Sequence, residues 1–177
     1  MISRKYIKDY IIDEQIGANG RVRSQAVYIG AGYTVTPLIS MGTKRVLTGL
    51  SAISSISYIC AMLPVTLTAR AVYILLPFAV SALPICLMLM SSVSLLRARE
   101  IMERSEAEKI TNRLPQCSLI STILTAASIT GLIVNSAILR TGIIGGDIIF
   151  GTFALACTVA TATVFGKCRK MKAMVIE

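Results

Sequence analysis

Hydroxyl side chains at helical spacing are the groups in this chain best placed to do chemistry. Successive members lie three, four or seven residues apart, so each run shares one helix face. They are Thr48, Ser51, Ser55 and Tyr58 in one run, Ser121, Thr125, Ser128 and Asn135 in a second, and Thr158. Such faces could line a path for a neutral or weakly polar solute, with Asn135 as the most polar member. We favour the other interpretation, helix packing, because Ser and Thr readily bond carbonyls of their own helix.

Catalytic and metal-binding groups are scarce. The chain has no histidine, the commonest general base and metal ligand, and no serine lies beside a plausible base. Cys86, Met88 and Met90 carry sulfur ligands that suit Cu(I), but residues two apart on a helix point to nearly opposite sides. We therefore expect no metal, no cofactor and no enzymatic activity. Cysteine chemistry is the one remaining route to a membrane enzyme.

The segments that carry these residues have the length and composition of membrane spans. Ala71–Leu96 contains no charged side chain, and as a helix it would be roughly 39 Å long against about 30 Å of bilayer hydrocarbon. The chain is 54% hydrophobic, and three further segments of membrane length lack charge. The sequence predicts four spans, at about 46–63, 71–96, 117–139 and 148–166.

Two prolines interrupt the longest span. Pro77 and Pro84 remove the N–H groups that would bond the carbonyls of Tyr73 and Val80. We predict a kinked helix with this face turned inward, and a hydroxyl such as that of Ser81 as the substitute donor. A static bend is favoured over a moving hinge or an ion-coordinating kink, because proline is common in membrane helices.

Small residues recur on the third and fourth spans at intervals of four. This spacing lets membrane helices approach closely, and it predicts tight helix packing. The residues are Ala127 and Gly131 on the third span, and Ala154, Ala162 and Gly166 on the fourth.

The basic residues predict the orientation. The formal charge is +9, and the four spans leave sixteen of the eighteen Lys and Arg residues on one side, with Arg70 and Arg140 on the other. The positive-inside rule then predicts both termini in the cytoplasm, in a plasma membrane or a bacterial inner membrane. The expected partner of this charge is the anionic inner leaflet rather than nucleic acid.

Residues 1–37 are the only polar stretch long enough for structure outside the membrane. Two runs with β-branched and aromatic residues flank Asn19-Gly20, which is a strong signal for a hairpin turn. The sequence predicts a cytoplasmic β-hairpin, with Tyr33–Val35 as a short third strand. An isolated hairpin is marginally stable, so it must rest on the membrane, the central loop or another chain.

The central loop, residues 97–116, is expected to be helical. Ser105 and Glu108 fit a capping box that would begin a second short helix, ending before Pro115. A solvated connector is favoured over a docking helix for a cytoplasmic partner.

Together these features predict an all-α integral membrane protein, a four-transmembrane-helix bundle at residues 38–177 with an N-terminal hairpin segment at 1–37. The leading functional hypothesis is a non-enzymatic, oligomerising or accessory subunit of a membrane complex. It would form homo- or hetero-oligomers and contact a cytoplasmic protein through residues 1–37 and 97–116. The alternative is a small homo-oligomeric transporter or channel for a neutral or weakly polar solute.

Overall fold

The protein is mostly helical with a few short strands. The computed structural model describes residues 9–16, 22–36, 40–63, 71–98, 102–139 and 145–176. The helices are α1 (Met41–Met62), α2 (Val72–Val80), α3 (Ala82–Arg97), α4 (Arg104–Glu108), α5 (Leu114–Leu139) and α6 (Gly145–Cys168). The strands are β1 (Tyr10–Ile16), β2 (Val22–Tyr28), β3 (Gly32–Thr36) and β4 (Lys172–Ile176).

The long helices form a closed bundle. α1 packs against α3 and α6, and α5 packs against α2, α3 and α6, so α2 and α3 together occupy one of four positions. The four helical stretches are long and apolar enough to cross a membrane. This confirms the predicted number of candidate spans.

Helix α1 has its polarity reversed relative to a helix of a water-soluble protein. Ser51 and Ser54 are fully buried, whereas Ile53, Ile56 and Ile59 are 53%, 61% and 60% exposed. Helix α5 repeats the arrangement, with buried Ser and Thr facing the bundle and Ile on the outside. Contiguous apolar surface of this kind is typical of a protein whose outer solvent is lipid.

Two apolar clusters fill the bundle. One lies where α1 begins and α3 ends, and it includes Leu47, Leu95, Ile110, Leu114, Val164 and their neighbours. The other lies near the opposite end and contains an aromatic group. The rings of Tyr58 and Phe78 stack at 4.6 Å between centroids, and Phe150 meets Phe78 edge-on at 5.0 Å. These contacts hold α1, α2 and α6 together.

The second span is interrupted at Ser81, midway between the two prolines. Ser81 is a turn residue between α2 and α3, and its N–H lies 3.1 Å from the carbonyl oxygens of both Pro77 and Phe78. Its hydroxyl donates to the Phe78 carbonyl at 2.6 Å, and the Tyr58 hydroxyl donates to the same oxygen at 3.1 Å. Ser81 therefore supplies a hydroxyl as predicted, but to the carbonyl of Phe78 rather than to those of Tyr73 or Val80.

The prediction of a separate short helix that begins at Ser105 and ends before Pro115 is wrong. α4 continues through a π-helical turn, Lys109–Arg113, directly into α5, so one helix runs from Arg104 past Pro115. The Leu114 N–H bonds the carbonyl of Lys109, five residues earlier. This wider turn shifts the hydrogen-bond register just before a proline that cannot donate. The residue at the N-cap of α4 is Glu103, not Ser105 as predicted.

The predicted hairpin is present. β1 and β2 pair antiparallel from Tyr10↔Tyr28 to Ile16↔Val22. A two-residue loop centred on Asn19-Gly20 would set Ile16 opposite Arg23, so the register differs by one residue from the one that this turn favours. Asn19 and Gly20 themselves lie outside the described residues.

The predicted third strand is present as β3, and it lies in a sheet separate from the hairpin. β3 pairs antiparallel with β4 at the carboxyl-terminal end of the chain, from Gly32↔Ile176 to Thr36↔Lys172. On its other edge, Tyr33 forms an antiparallel bridge with Met102. The amino-terminal segment is therefore joined to the carboxyl-terminal strand and to the central loop, residues 97–116, which we call the connector from here on.

Candidate functional site: the polar cap

Three distant parts of the chain meet at one end of the bundle. We call this assembly the polar cap and define it as β1, β2, β3, β4 and residues 102–113. It lies where α1 begins and where α3 and α6 end. Within the described residues, it comprises the four strands and the stretch that leads into α5.

β3 is the centre of the cap. The Tyr33 N–H donates to the Met102 carbonyl at 3.0 Å, and the Met102 N–H donates to the Tyr33 carbonyl at 2.9 Å. Because the N–H and C=O groups of successive strand residues point to opposite edges, Thr34 must bond β4 on the other side. Val35 is 3% exposed and belongs to the apolar cluster of the bundle. The cap is thus anchored in the core.

Two tyrosines attach the hairpin to the central connector. The Tyr10 hydroxyl donates to the carboxylate of Glu103. The Tyr28 hydroxyl accepts the N–H of Arg104 at 3.3 Å and donates to the Ala31 carbonyl at 2.9 Å. The two rings meet edge-on at 5.2 Å. The hydrogen bond from Tyr10 to Glu103, together with partial burial of the phenol, raises the pKa of Tyr10 above its ordinary value.

Positive charge is concentrated at the cap end. The described cations on the long helices and the connector lie there, and Lys44 on α1 donates to the carbonyl of Ala98 at 2.8 Å, which ties α1 to the end of α3. The other cations on these elements are Arg45, Arg97, Arg104, Lys109, Arg113 and Lys167, and Arg169, Lys170 and Lys172 follow the end of α6. Arg70 and Arg140 lie outside the described residues.

A surface cavity of about 440 Å³ opens in the cap between the connector and β4. Its charged side chains are Arg104, Glu108 and Lys172, and the Arg104 Nε lies 3.4 Å from the Glu108 Oε1. Tyr33, Thr111 and Asn112 add neutral polar groups. The lining offers hydrogen bonds and an ion pair, which suits a polar contact surface.

The serine and threonine hydroxyl groups of the predicted runs form hydrogen bonds to backbone carbonyls of their own helices. Ser51, Ser55, Ser121, Thr125, Ser128 and Thr158 each donate to the carbonyl four residues earlier, at 2.8–3.1 Å. Thr48 is bonded both to the Lys44 carbonyl and to that of Ser92, each at 3.0 Å. The runs line none of the four described cavities.

The same hydroxyls also join neighbouring helices. Ser51 on α1 lies 2.7 Å from the Ser92 hydroxyl on α3. Thr158 on α6 donates to Thr125 on α5 at 2.8 Å. Sequence periodicity locates these residues on one face, but it does not identify their partners. One of these is Ser92, which lies four residues before the end of the predicted span 71–96.

Asn135 contacts α2, and it lines none of the four described cavities. Its side-chain oxygen accepts the Tyr73 hydroxyl, and Asn135 is 5% exposed. Gly131 lies one turn away, where an added Cβ would come 3.2 Å from the Ile74 Cγ1. This glycine therefore permits the close approach of α2 and α5.

The small residues divide into two groups. Ala154 is buried between helices, and Gly131 lies at a helix contact. Ala127, Ala162 and Gly166 are exposed, and no atom lies within 4 Å of a Cβ built on Gly166. Among the described residues these three are exposed, so the packing role expected for them stays a prediction.

The described sulfur ligands do not converge. Met88 is fully buried, while Cys86 and Met90 are exposed, as their spacing predicts. Among the described residues, no group of three His, Cys, Asp or Glu side chains could hold a metal ion. The described cysteines are free thiols.

Fold and site together define the class: a multi-pass membrane protein with a four-helix bundle and a polar cap at one end. No protein-family model, no curated protein and no solved structure matches the chain.

Proposed function

We propose that this protein is a non-enzymatic subunit of a membrane complex, oligomerising or accessory, whose polar cap contacts a partner protein. The observation that carries the proposal is the construction of the cap. Three segments far apart in the chain, β1–β3, residues 102–113 and β4, are joined there by β-pairing and tyrosine hydroxyls. A loop that only connected helices would need none of these contacts.

The cap offers unsatisfied backbone to a partner. β4 pairs with β3 on one edge, and in the described residues no strand pairs with its other edge. Lys172, Ala173 and Met174 are exposed on this strand. An extended segment of a partner can add to such an edge through main-chain hydrogen bonds. The contact surface proposed here thus extends the expected segments, 1–37 and 97–116, to the carboxyl-terminal strand.

The interior supports packing over solute passage. The hydroxyls that could line a path are bonded within their helices and across helix contacts, as between Thr158 and Thr125. A solute would have to replace these bonds to pass. We therefore favour the subunit over the transporter or channel.

We further propose that the cap and both termini face the cytoplasm. The support is the concentration of positive charge at the cap end, which the positive-inside rule associates with the cytoplasmic face. Proteolysis of a terminal tag in intact and in permeabilised cells tests this orientation. Cleavage in intact cells would contradict it.

The partner is tested by copurification in mild detergent. The full chain should retain a stoichiometric protein, and Tyr10→Phe with Tyr28→Phe should reduce its yield, because the two hydroxyls attach the hairpin to the connector. Tyr73→Phe is the matched control, since its hydroxyl bonds Asn135 at the opposite end of the bundle. Equal losses from both variants would contradict a role of the cap.

A flux assay tests the transporter directly. Purified protein in liposomes should not accelerate the swelling caused by a panel of small neutral solutes. If it does, and if Asn135→Leu abolishes the flux while the helical circular dichroism is retained, the subunit proposal is replaced by the transporter.

A further inference from the structure

A second cavity lies where the connector meets the bundle. It has a volume of about 140 Å³ and lies between the carboxyl-terminal half of α3 and the π-helical turn. Leu87, Met90, Ser91 and Ser94 of α3 line one side, and Lys109 and Arg113 line the other. Arg113 is the last charged residue before the apolar part of α5, so the cavity lies at the edge of the apolar bundle.

Among the described residues, no carboxylate is paired with either of the two cations. Lys109 and Arg113 are four residues apart and exposed, and within the described residues neither has a hydrogen bond or ion pair. Like charges at this spacing destabilise a helix. Glu108 borders the adjoining cavity beside them, but its carboxylate lies 3.4 Å from Arg104. The pair is therefore suited to a bound anion.

The opposite wall is apolar. Met90 is 67% exposed on the outer surface of α3, and Leu87 is partly buried one turn closer to the middle of the helix. The hydroxyls of Ser91 and Ser94 already donate to the carbonyls of Leu87 and Met90, at 2.8 and 3.0 Å. Donors to an anion would thus come from the two cations alone, and the rest of the groove presents hydrocarbon.

We propose that this groove binds the headgroup phosphate of an anionic phospholipid from the leaflet on the cap side. The phosphate lies between Lys109 and Arg113, and an acyl chain runs along Met90 and Leu87. The order of chemistry along the groove, two cations followed by apolar side chains at the edge of the bundle, matches the order along a phospholipid. A soluble anion would use only the first part. Lys109 and Arg113 belong to the cap, but the lipid preference is measured on the protein in vesicles without the partner proposed for the cap.

The test uses the absence of tryptophan from the chain. Met90→Trp places a single tryptophan on the groove wall of the full-length protein in bilayer vesicles. Quenching by brominated anionic phospholipid is compared with quenching by the brominated zwitterionic lipid at equal mole fraction. At the usual strength of a basic residue at a membrane surface, one cation predicts a relative association constant of roughly five in favour of the anionic lipid, and two cations predict one of roughly thirty.

Removal of the cations should abolish this preference. Lys109→Gln with Arg113→Gln should bring the ratio to about one. Lys167→Gln with Arg169→Gln removes the same charge from the cap end of α6 and should leave most of the preference intact. Lys109→Arg with Arg113→Lys keeps the charge and should also retain it, which separates loss of binding from loss of fold.

Three results would overturn the proposal. The first is equal quenching by the two lipids in the Met90→Trp protein. The second is an equal loss of preference in the α6 control. The third is loss of the preference when inorganic phosphate is added at constant ionic strength, because the groove would then hold a soluble anion rather than a lipid.

Discussion

The pairing of β3 with β4 can be tested with two prolines in adjacent positions. Tyr33 bonds Met102 on one edge of β3, so the β4 residue opposite Thr34, which is Met174, must direct its N–H toward β3. Ala173 directs its N–H away. Met174→Pro therefore deletes a ladder hydrogen bond, whereas Ala173→Pro deletes none. Both side chains are exposed, so neither substitution removes buried surface.

The expected effect follows from one backbone hydrogen bond. Its net contribution is about 1 kcal/mol, which corresponds to about a fivefold change in the equilibrium for opening β4. The proline ring also occupies the position of the lost proton, so this is a lower limit. A two-stranded pairing has little stability in reserve, and the change should be measurable.

Hydrogen exchange of the full chain in nanodiscs provides the assay. In Met174→Pro, peptides from β3 and β4 should exchange at least about five times faster than in the parent protein, while peptides from α5 remain unchanged. Ala173→Pro should show a smaller acceleration. If the two prolines act equally, or if Ala173→Pro has the larger effect, the inferred direction of the ladder bonds is refuted.

Three further predictions concern the core, a helix contact and the hairpin. Phe78→Ala should lower the free energy of unfolding in detergent by about 1–3 kcal/mol, because it removes the ring between Tyr58 and Phe150. Leu83→Ala, on the exposed surface, should change it by less than about 0.5 kcal/mol. Thr158→Val should cost about 0.6 kcal/mol, the average for a hydrogen bond between membrane helices. Tyr10 should ionise above pH 10. A pH titration of tyrosinate absorbance should show this step in the parent protein and lack it in Tyr10→Phe.

Each of these predictions has a contradicting result. Equal destabilisation by Phe78→Ala and Leu83→Ala would mean that the aromatic cluster does not hold the helices together. No change in Thr158→Val would remove the bond to Thr125 from the energetics of the bundle. For Tyr10, the folded state favours the protonated phenol, so its contribution to stability is present below pH 10 and is lost as the pH rises through the raised pKa. A step at or below pH 10 would contradict the bond to Glu103.

The spans could be predicted well because their signal is local. About twenty successive apolar residues form a helix that is long enough to cross the hydrocarbon and that pairs its own backbone groups, whatever the rest of the chain does. The hydroxyl faces of α1 and α5 were also found from spacing alone, since periodicity reports which residues share a face. The hairpin β1–β2 could also be predicted from local sequence, because its two strands are close together along the chain.

The contacts between distant segments could not be predicted in this way. β4 has only five residues. The residues between α6 and β4 are mostly basic, and they contain no pattern that signals a turn followed by a strand. Its pairing with β3 joins residues near the two ends of the chain. The continuation of α4 through the π-helical turn was missed because Pro115 is a common signal for a helix end, and only the wider turn before it makes the longer helix possible.

The amino-acid sequence alone determined how many helices can cross a bilayer, which faces are polar and where positive charge is concentrated, because each of these depends on neighbouring residues and on the solvent. The tertiary structure decided that Thr158 meets Thr125, that Tyr10 and Tyr28 attach to the connector, and that β3 lies between Met102 and β4. These contacts depend on the simultaneous positions of elements far apart in the chain, which no local pattern specifies.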